Sequence, residues 1–142
     1  TATIINSILS ENKIGVEAKD GSNAYIVNSN LINNDLQLSV YTKNWRYGSG
    51  GHIVVDKSIL HDDDNALQSE KKSFIEIYDS SVRPLPKELG KNIQMEIEVE
   101  SCHKSTSSRT ACRPTFNPSV KKMLGGYERL TDPSVRGAIS DS

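Results

Sequence analysis

Three residues with chemistry to offer stand side by side at Trp45-Arg46-Tyr47, inside the Asn- and Gly-rich stretch from Lys43 to Gly51. An indole or phenol face stacks on the apolar C–H face of a sugar ring, and a guanidinium bonds hydroxyls or carboxylates, so the trio forms a candidate glycan-binding loop. The competing reading is structural, with Trp45 folded back over neighbouring chain. Asp62-Asp63-Asp64, with Asp56 nearby in sequence, is the candidate for a hard cation such as Ca²⁺, which gathers several carboxylate oxygens. Adjacent residues in a strand or corner diverge, and the run lacks the spaced alternation of a Ca²⁺ loop, so a solvated turn is the expected state. Cys102 and Cys112 permit a disulfide closing a loop of 11 residues. Such a bond contributes roughly 2–3 kcal/mol on the chain-entropy model. Two free thiols fit the sequence as well. Cys102-His103 with Cys112 lacks a fourth zinc ligand, and His52, His61 and His103 are not at metal-ligand spacings. No Gly-rich phosphate loop, G-x-S-x-G or H-E-x-x-H occurs. No catalytic residue is selected, and no cofactor is expected beyond the weak Ca²⁺ candidate.

The elements that position these residues follow from composition and repetition. The chain has 142 residues, room for one domain or for a repeat segment with an appendage. Its 17 basic and 18 acidic residues leave a net charge of −1, which provides no general attraction to nucleic acid. No apolar run approaches the roughly 18 residues of a membrane span. Thr1 opens in repeat sequence with neither initiator Met nor signal-peptide pattern, so a C-terminal piece of a larger protein is expected. Abundant Asn, Ser and Asp with few aromatics suit many turns and thin β layers.

Ile4-Ile5-Asn6-Ser7-Ile8-Leu9-Ser10-Glu11-Asn12 returns as Ile26-Val27-Asn28-Ser29-Asn30-Leu31-Ile32-Asn33-Asn34 and as Val55-Asp56-Lys57-Ser58-Ile59-Leu60-His61-Asp62-Asp63. A fourth copy starts at Ile77-Tyr78-Asp79-Ser80-Ser81-Val82. Aligned on Ser7, Ser29, Ser58 and Ser80, the spacings are 22, 29 and 22 residues. Self-similarity at this period indicates a solenoid. Alternating, β-branched runs at 23–27, 51–55 and 74–78, and shorter ones at 14–18, 36–40 and 65–69, indicate strands. If successive units stack one strand spacing apart, four apolar columns form: Ala24/Ile53/Ile75, Ile4/Ile26/Val55/Ile77, Leu9/Leu31/Leu60/Val82 and Val16/Leu38/Leu67. Asn12, Asn34 and Asp63 form a further column at a corner, where a structural role is expected because Asn tolerates left-handed backbone.

These Ile-x-Asn-Ser-x-Leu-x-x-Asn frames resemble the right-handed parallel β-helix repeat of pectate-lyase-like and related carbohydrate-active and surface proteins. The resemblance covers Ala2 to Val82. It implies an all-β, right-handed parallel β-helix of about three to four coils over residues 1–83, with a C-terminal capping strand and a short, partly helical or irregular tail over 84–142. It implies no activity, because the fold hosts lyases, hydrolases, adhesins and inert spacers.

The repeat also places the candidates. Lys19-Asp20-Gly21-Ser22 is the turn between units, and the corresponding Lys43 to Gly51 carries the seven-residue excess, so the Trp45 loop projects from one face. Pro84 and Pro86 end the array. Beyond them Asn92 to Glu100 alternates strictly, as an edge or hairpin strand covering the last coil, with Glu96, Glu98 and Glu100 on its solvated face. Asn117-Pro118 and Asp132-Pro133 each start a short helix, and the last dozen residues are expected to order only on a partner.

Three functions are consistent with these residues. The first is a non-catalytic scaffold or binding segment of a larger secreted or cell-surface protein, contacting glycan through residues 43–51 and joined to upstream domains. The second is a fragment of a polysaccharide lyase or glycoside hydrolase. The third is an oligomeric phage-tail or adhesin tip assembled through the C-terminal tail. An enzyme cleft on these coils requires charged residues converging near Arg46, Asp56 and Lys57; a scaffold leaves them dispersed.

Overall fold

The computed structural model describes residues 1–87, 92–96 and 137–138. Its strands are β1 (Ala2–Ile5), β2 (Ile8–Ser10), β3 (Ile14–Lys19), β4 (Asn23–Val27), β5 (Asn30–Ile32), β6 (Leu36–Tyr41), β7 (His52–Asp56), β8 (Ile59–His61), β9 (Leu67–Ser69), β10 (Phe74–Tyr78), β11 (Ser81–Arg83) and β12 (Ile93–Glu96). They form three sheets: A, in the order β1-β4-β7-β10-β12; B, in the order β2-β5-β8-β11; and C, in the order β3-β6-β9. Every pairing is parallel. The chain lays one strand in A, one in B and one in C, then returns to A beside its previous strand. The result is all-β, with parallel strands in stacked sheets, consistent with the expected solenoid. Each circuit contains three strands where two were expected. The additional ones, β2, β5, β8 and β11, are three residues long and too short to show alternation.

The anticipated columns are present in register. Ala24 pairs with Ile53 and Ile53 with Ile75, while Ile26 lies between Ile4 and Val55. Leu31 lies between Leu9 and Leu60, and Leu38 between Val16 and Leu67. These side chains fill the interior, where Ile26, Leu31, Leu38, Ile53, Val55, Leu60, Ile75 and Ile77 are fully buried. Burying a Leu or Ile side chain stabilises by roughly 1.5–3 kcal/mol, so the columns are the main support of the array. The expected capping strand occurs as β12, at the edge of sheet A. It is parallel to β10 and stacks Ile93 and Met95 on Ile75 and Ile77, so it continues the columns by one rung and is not a hairpin strand.

Two polar ladders bind the circuits at their corners. Asn6, Asn28, Lys57 and Asp79 all have left-handed backbone, with φ between 47° and 53°, and each precedes one of the aligned serines. Each serine hydroxyl donates to the carbonyl two residues back: Ser7 to Ile5, Ser29 to Val27, Ser58 to Asp56 and Ser80 to Tyr78. The same oxygens accept N–H bonds from the preceding circuit: Ser7 to Ser29 at 3.1 Å, Ser29 to Ser58 at 3.2 Å and Ser58 to Ser80 at 3.1 Å.

The second ladder corrects the expected Asn12/Asn34/Asp63 column. Asn34 Oδ1 accepts from the Asn12 backbone and side chain, and Asn34 donates to Leu9 O and Gln37 Oε1. Gln37 then donates to Asn65 Oδ1 at 2.9 Å, and Asn65 donates to Leu60 O and Pro84 O. Asp63 is exposed and Asn65 is fully buried. An amide can donate and accept within a dry corner, whereas a carboxylate there only accepts and loses its hydration, so Asn65 takes the inner place.

Gly137 and Ala138 also correct an expectation, since they dock on the array itself. Gly137 N–H donates to Lys57 O at 2.8 Å and Ala138 N–H to Asn30 Oδ1 at 2.8 Å. At Gly137 φ is 82°, and an added Cβ would lie 2.3 Å from Asn30 Oδ1 and 2.6 Å from Ile59 Cδ1, so only glycine fits. The helix starts expected at 117–118 and 132–133, and Glu98 and Glu100, lie outside the described residues.

Candidate functional site

The loop between β6 and β7 is pinned at both ends by neighbouring circuits. Asp20, left-handed at φ 50°, accepts the N–H groups of Lys43 at 2.8 Å and Asn44 at 2.9 Å through one carboxylate oxygen. Asn44 caps a 3₁₀ turn over Trp45–Tyr47 by accepting from Arg46 N–H, and left-handed Gly48 ends it by donating to Trp45 O. At the exit, Gly21 N–H donates to Gly50 O and Gly50 N–H to Lys72 O. A Cβ on Gly51 would lie 2.0 Å from Ala18 O, so the chain passes too close to the previous circuit for any side chain. The backbone is held while Trp45 and Arg46 are exposed.

Trp45 is 80% exposed, which overturns the reading that it folds back over the array. Its ring carries the Arg46 guanidinium, whose central carbon lies 5.7 Å from the ring centroid. This cation–π contact presents indole and cation as one unit. Beside it opens a groove of about 560 Å³ lined by Thr42, Trp45, Gly48, Glu70, Lys71 and Lys72. Of the expected trio, Trp45 and Arg46 are thus brought together, and Tyr47 contributes backbone to the turn.

A second, open groove of about 350 Å³ begins where the strands of sheet A start, lined by His52, Phe74, Ile75, Glu76, Asn92 and Gln94. Phe74 is half exposed and meets the His52 imidazole edge to face, with ring centroids 6.4 Å apart. His52 Nε2 contacts Glu76 Oε2, and Tyr78 Oη donates to Glu76 Oε1 at 2.7 Å. Lys72 of the first groove precedes Phe74 of the second by two residues, a separation of at most about 7 Å of extended chain, so the grooves adjoin around one corner. The sequence reading did not select these residues. They were accessible through the same register, because His52 pairs with Phe74 and Val54 with Glu76 as outward neighbours of the apolar columns.

The remaining candidates are dispersed. Asp63 and Asp64 are exposed, and Asp64 faces Lys87 at 3.9 Å. Among the described residues no three His, Cys, Asp or Glu side chains converge in a way that would hold a metal ion. Arg46 is in the loop, whereas Asp56 and Lys57 are fully buried at the A–B corner, so the three do not share a cleft. His61 Nε2 lies 3.1 Å from Ser81 Oγ on the outer side of sheet B. Burial, and then the positive charge of Arg83, hold this imidazole below its ordinary titration range. Cys102 and Cys112 lie outside the described residues. Among the described residues no helix is long and apolar enough to cross a membrane. No family model, curated protein or solved structure matches the chain, so its function must be argued from this geometry.

Proposed function

We propose that the chain is part of a right-handed parallel β-helix of the pectate-lyase-like kind, acting as a non-catalytic scaffold that contacts glycan through the Trp45 loop at a cell surface or outside the cell. The observation that carries this reading is the pairing of an 80% exposed Trp45 with a backbone anchored at both ends. Exposing a large apolar face on an ordered loop gains nothing for folding, and a preorganised aromatic platform loses little entropy when it binds. A sugar ring on the indole would bring its substituents towards Lys71 and Lys72, so glycans bearing carboxylate or sulfate groups are the expected class. The dispersal of Arg46, Asp56 and Lys57 supports the scaffold over the enzyme fragment. A glycan array probed with the chain and with Trp45→Ala tests the proposal. Binding to an acidic glycan that the substitution abolishes is the expected result. Binding to no glycan, or binding unchanged by the substitution, refutes it.

A further inference from the structure

The A–B corner places one left-handed residue in each circuit, and two of its four occupants differ chemically from the other two. Asn6 and Asn28 are ordinary there, because Asn tolerates left-handed backbone. Asp79 shares that tolerance, but Lys57 has no such backbone reason for its identity. Lys57 is fully buried, and its Nζ contacts Asp79 Oδ2 in the following circuit. The Asp79 side chain is only 12% exposed. Asp56, also fully buried, immediately precedes Lys57 and pairs in register with Tyr78, the neighbour of Asp79. Tail backbone lies on this corner, with Gly137 N–H on Lys57 O.

Lys57 and Asp79 therefore meet at a site with little access to water, where a separated ammonium and carboxylate lose their hydration. The neutral amine and carboxylic acid are the forms of this pair that can condense. The serine ladder fixes both backbones beside them, with Ser58 N–H on Ser80 Oγ at 3.1 Å.

We propose that Lys57 and Asp79 are joined by an amide bond between their side chains. The Lys57 Nζ lone pair attacks Asp79 Cγ and forms the C–N bond. The nitrogen then gives up a proton, which passes to the departing Asp79 hydroxyl. The C–O bond breaks and one water leaves. The condensation needs no oxidant and no second reactant. It ties the third circuit to the fourth.

Mass spectrometry of the denatured full chain decides the matter. The expected mass is about 18 Da below the sequence mass, the loss of one water. Digestion should yield one branched peptide containing both Lys57 and Asp79, because trypsin does not cleave after an acylated lysine. Lys57→Arg and Asp79→Ala should each restore the full mass, and the denatured measurement reads this whether or not a variant folds. A native chain at full sequence mass overturns the proposal, as does a water loss that persists in Lys57→Arg.

Discussion

The A–B and C–A corners are made from similar small polar residues, yet they are used in opposite ways. At A–B, every circuit turns in two residues: Asn6-Ser7, Asn28-Ser29, Lys57-Ser58 and Asp79-Ser80. There the serine hydroxyls bond chain to chain, and from Asn28 to Ser58 the corner residues are fully buried. At C–A, the gaps between strands run 20–22, 42–51 and 70–73, so length varies from circuit to circuit. Asp20 and Asn44 spend their side chains on backbone N–H groups, while Trp45, Lys71 and Lys72 face solvent. Fixed length accompanies a scaffold duty, because a ladder tolerates no added residue. Variable length accompanies exposed side chains at Trp45, Lys71 and Lys72. The comparison locates function where the period fails.

The largest way to test that contrast is to damage a column. Leu31 is fully buried between Leu9 and Leu60, and Leu31→Ala leaves a cavity that stacked neighbours in fixed register cannot close. A loss of about 2–5 kcal/mol is expected in urea unfolding. A loss well under 1 kcal/mol would show that the interior is not the packed support described. The polar ladder comes next. Asn34→Ala strands the Asn12 N–H and Gln37 Oε1 and should cost about 1–3 kcal/mol. Asp63→Ala, at the position first aligned with it, should remain within about 0.5 kcal/mol. Equal effects at the two sites would undo the assignment of the inner place to Asn65.

That pair of substitutions also marks where the sequence was legible. Apolar columns could be written down in advance because stacking by 22 and 29 residues leaves one register in which every partner is apolar. The Asn corner could not, because the spacing of 29 holds on both sides of it, from Leu31 to Leu60 and Leu38 to Leu67, while β9 begins only at Leu67 and leaves the backbone before it out of the sheet. Counting by 29 therefore selects Asp63, while burial selects the amide two residues later. Gly137 was invisible for another reason: its neighbour Ala138 bonds Asn30 across 108 residues, and no local pattern encodes such a contact. The Trp45 loop was legible as an insertion, but its outward display depends on Asp20, 23 residues upstream of Lys43. The groove at His52 and Glu76 depends on side chains from adjacent circuits that become neighbours only once the register is extended to the outer face.

A smaller effect distinguishes a half-buried group on sheet B from the solvated ones. His61 is held below its ordinary value of 6.5 by burial and then by Arg83. The unfolded chain therefore binds that proton more readily than the folded one, and stability rises with pH between the folded value and 6.5. The contribution is fully present above 6.5 and is lost as pH falls through the folded value. Urea midpoints measured from about pH 7.5 down to about pH 5 should fall more steeply for the native chain than for His61→Gln. His52 is present in both proteins, so the difference in slope isolates His61. Parallel slopes would contradict the assigned environment.

The smallest expected change in stability is at Trp45, and that smallness is the test. A tryptophan that covers a core costs about 3–5 kcal/mol when truncated. Trp45 is 80% exposed, and its turn is held by Asp20, Asn44 and Gly48 through bonds that use no indole atom. Only the Arg46 contact is lost, worth about 0.5–1 kcal/mol at an exposed site. Trp45→Ala should therefore unfold within about 1 kcal/mol of the native chain while losing glycan binding. A large destabilisation would make the indole part of the fold and transfer it to the scaffold side of the comparison. Lost binding at unchanged stability would place it on the other side, since a residue that the fold does not need but a ligand does is retained for the ligand.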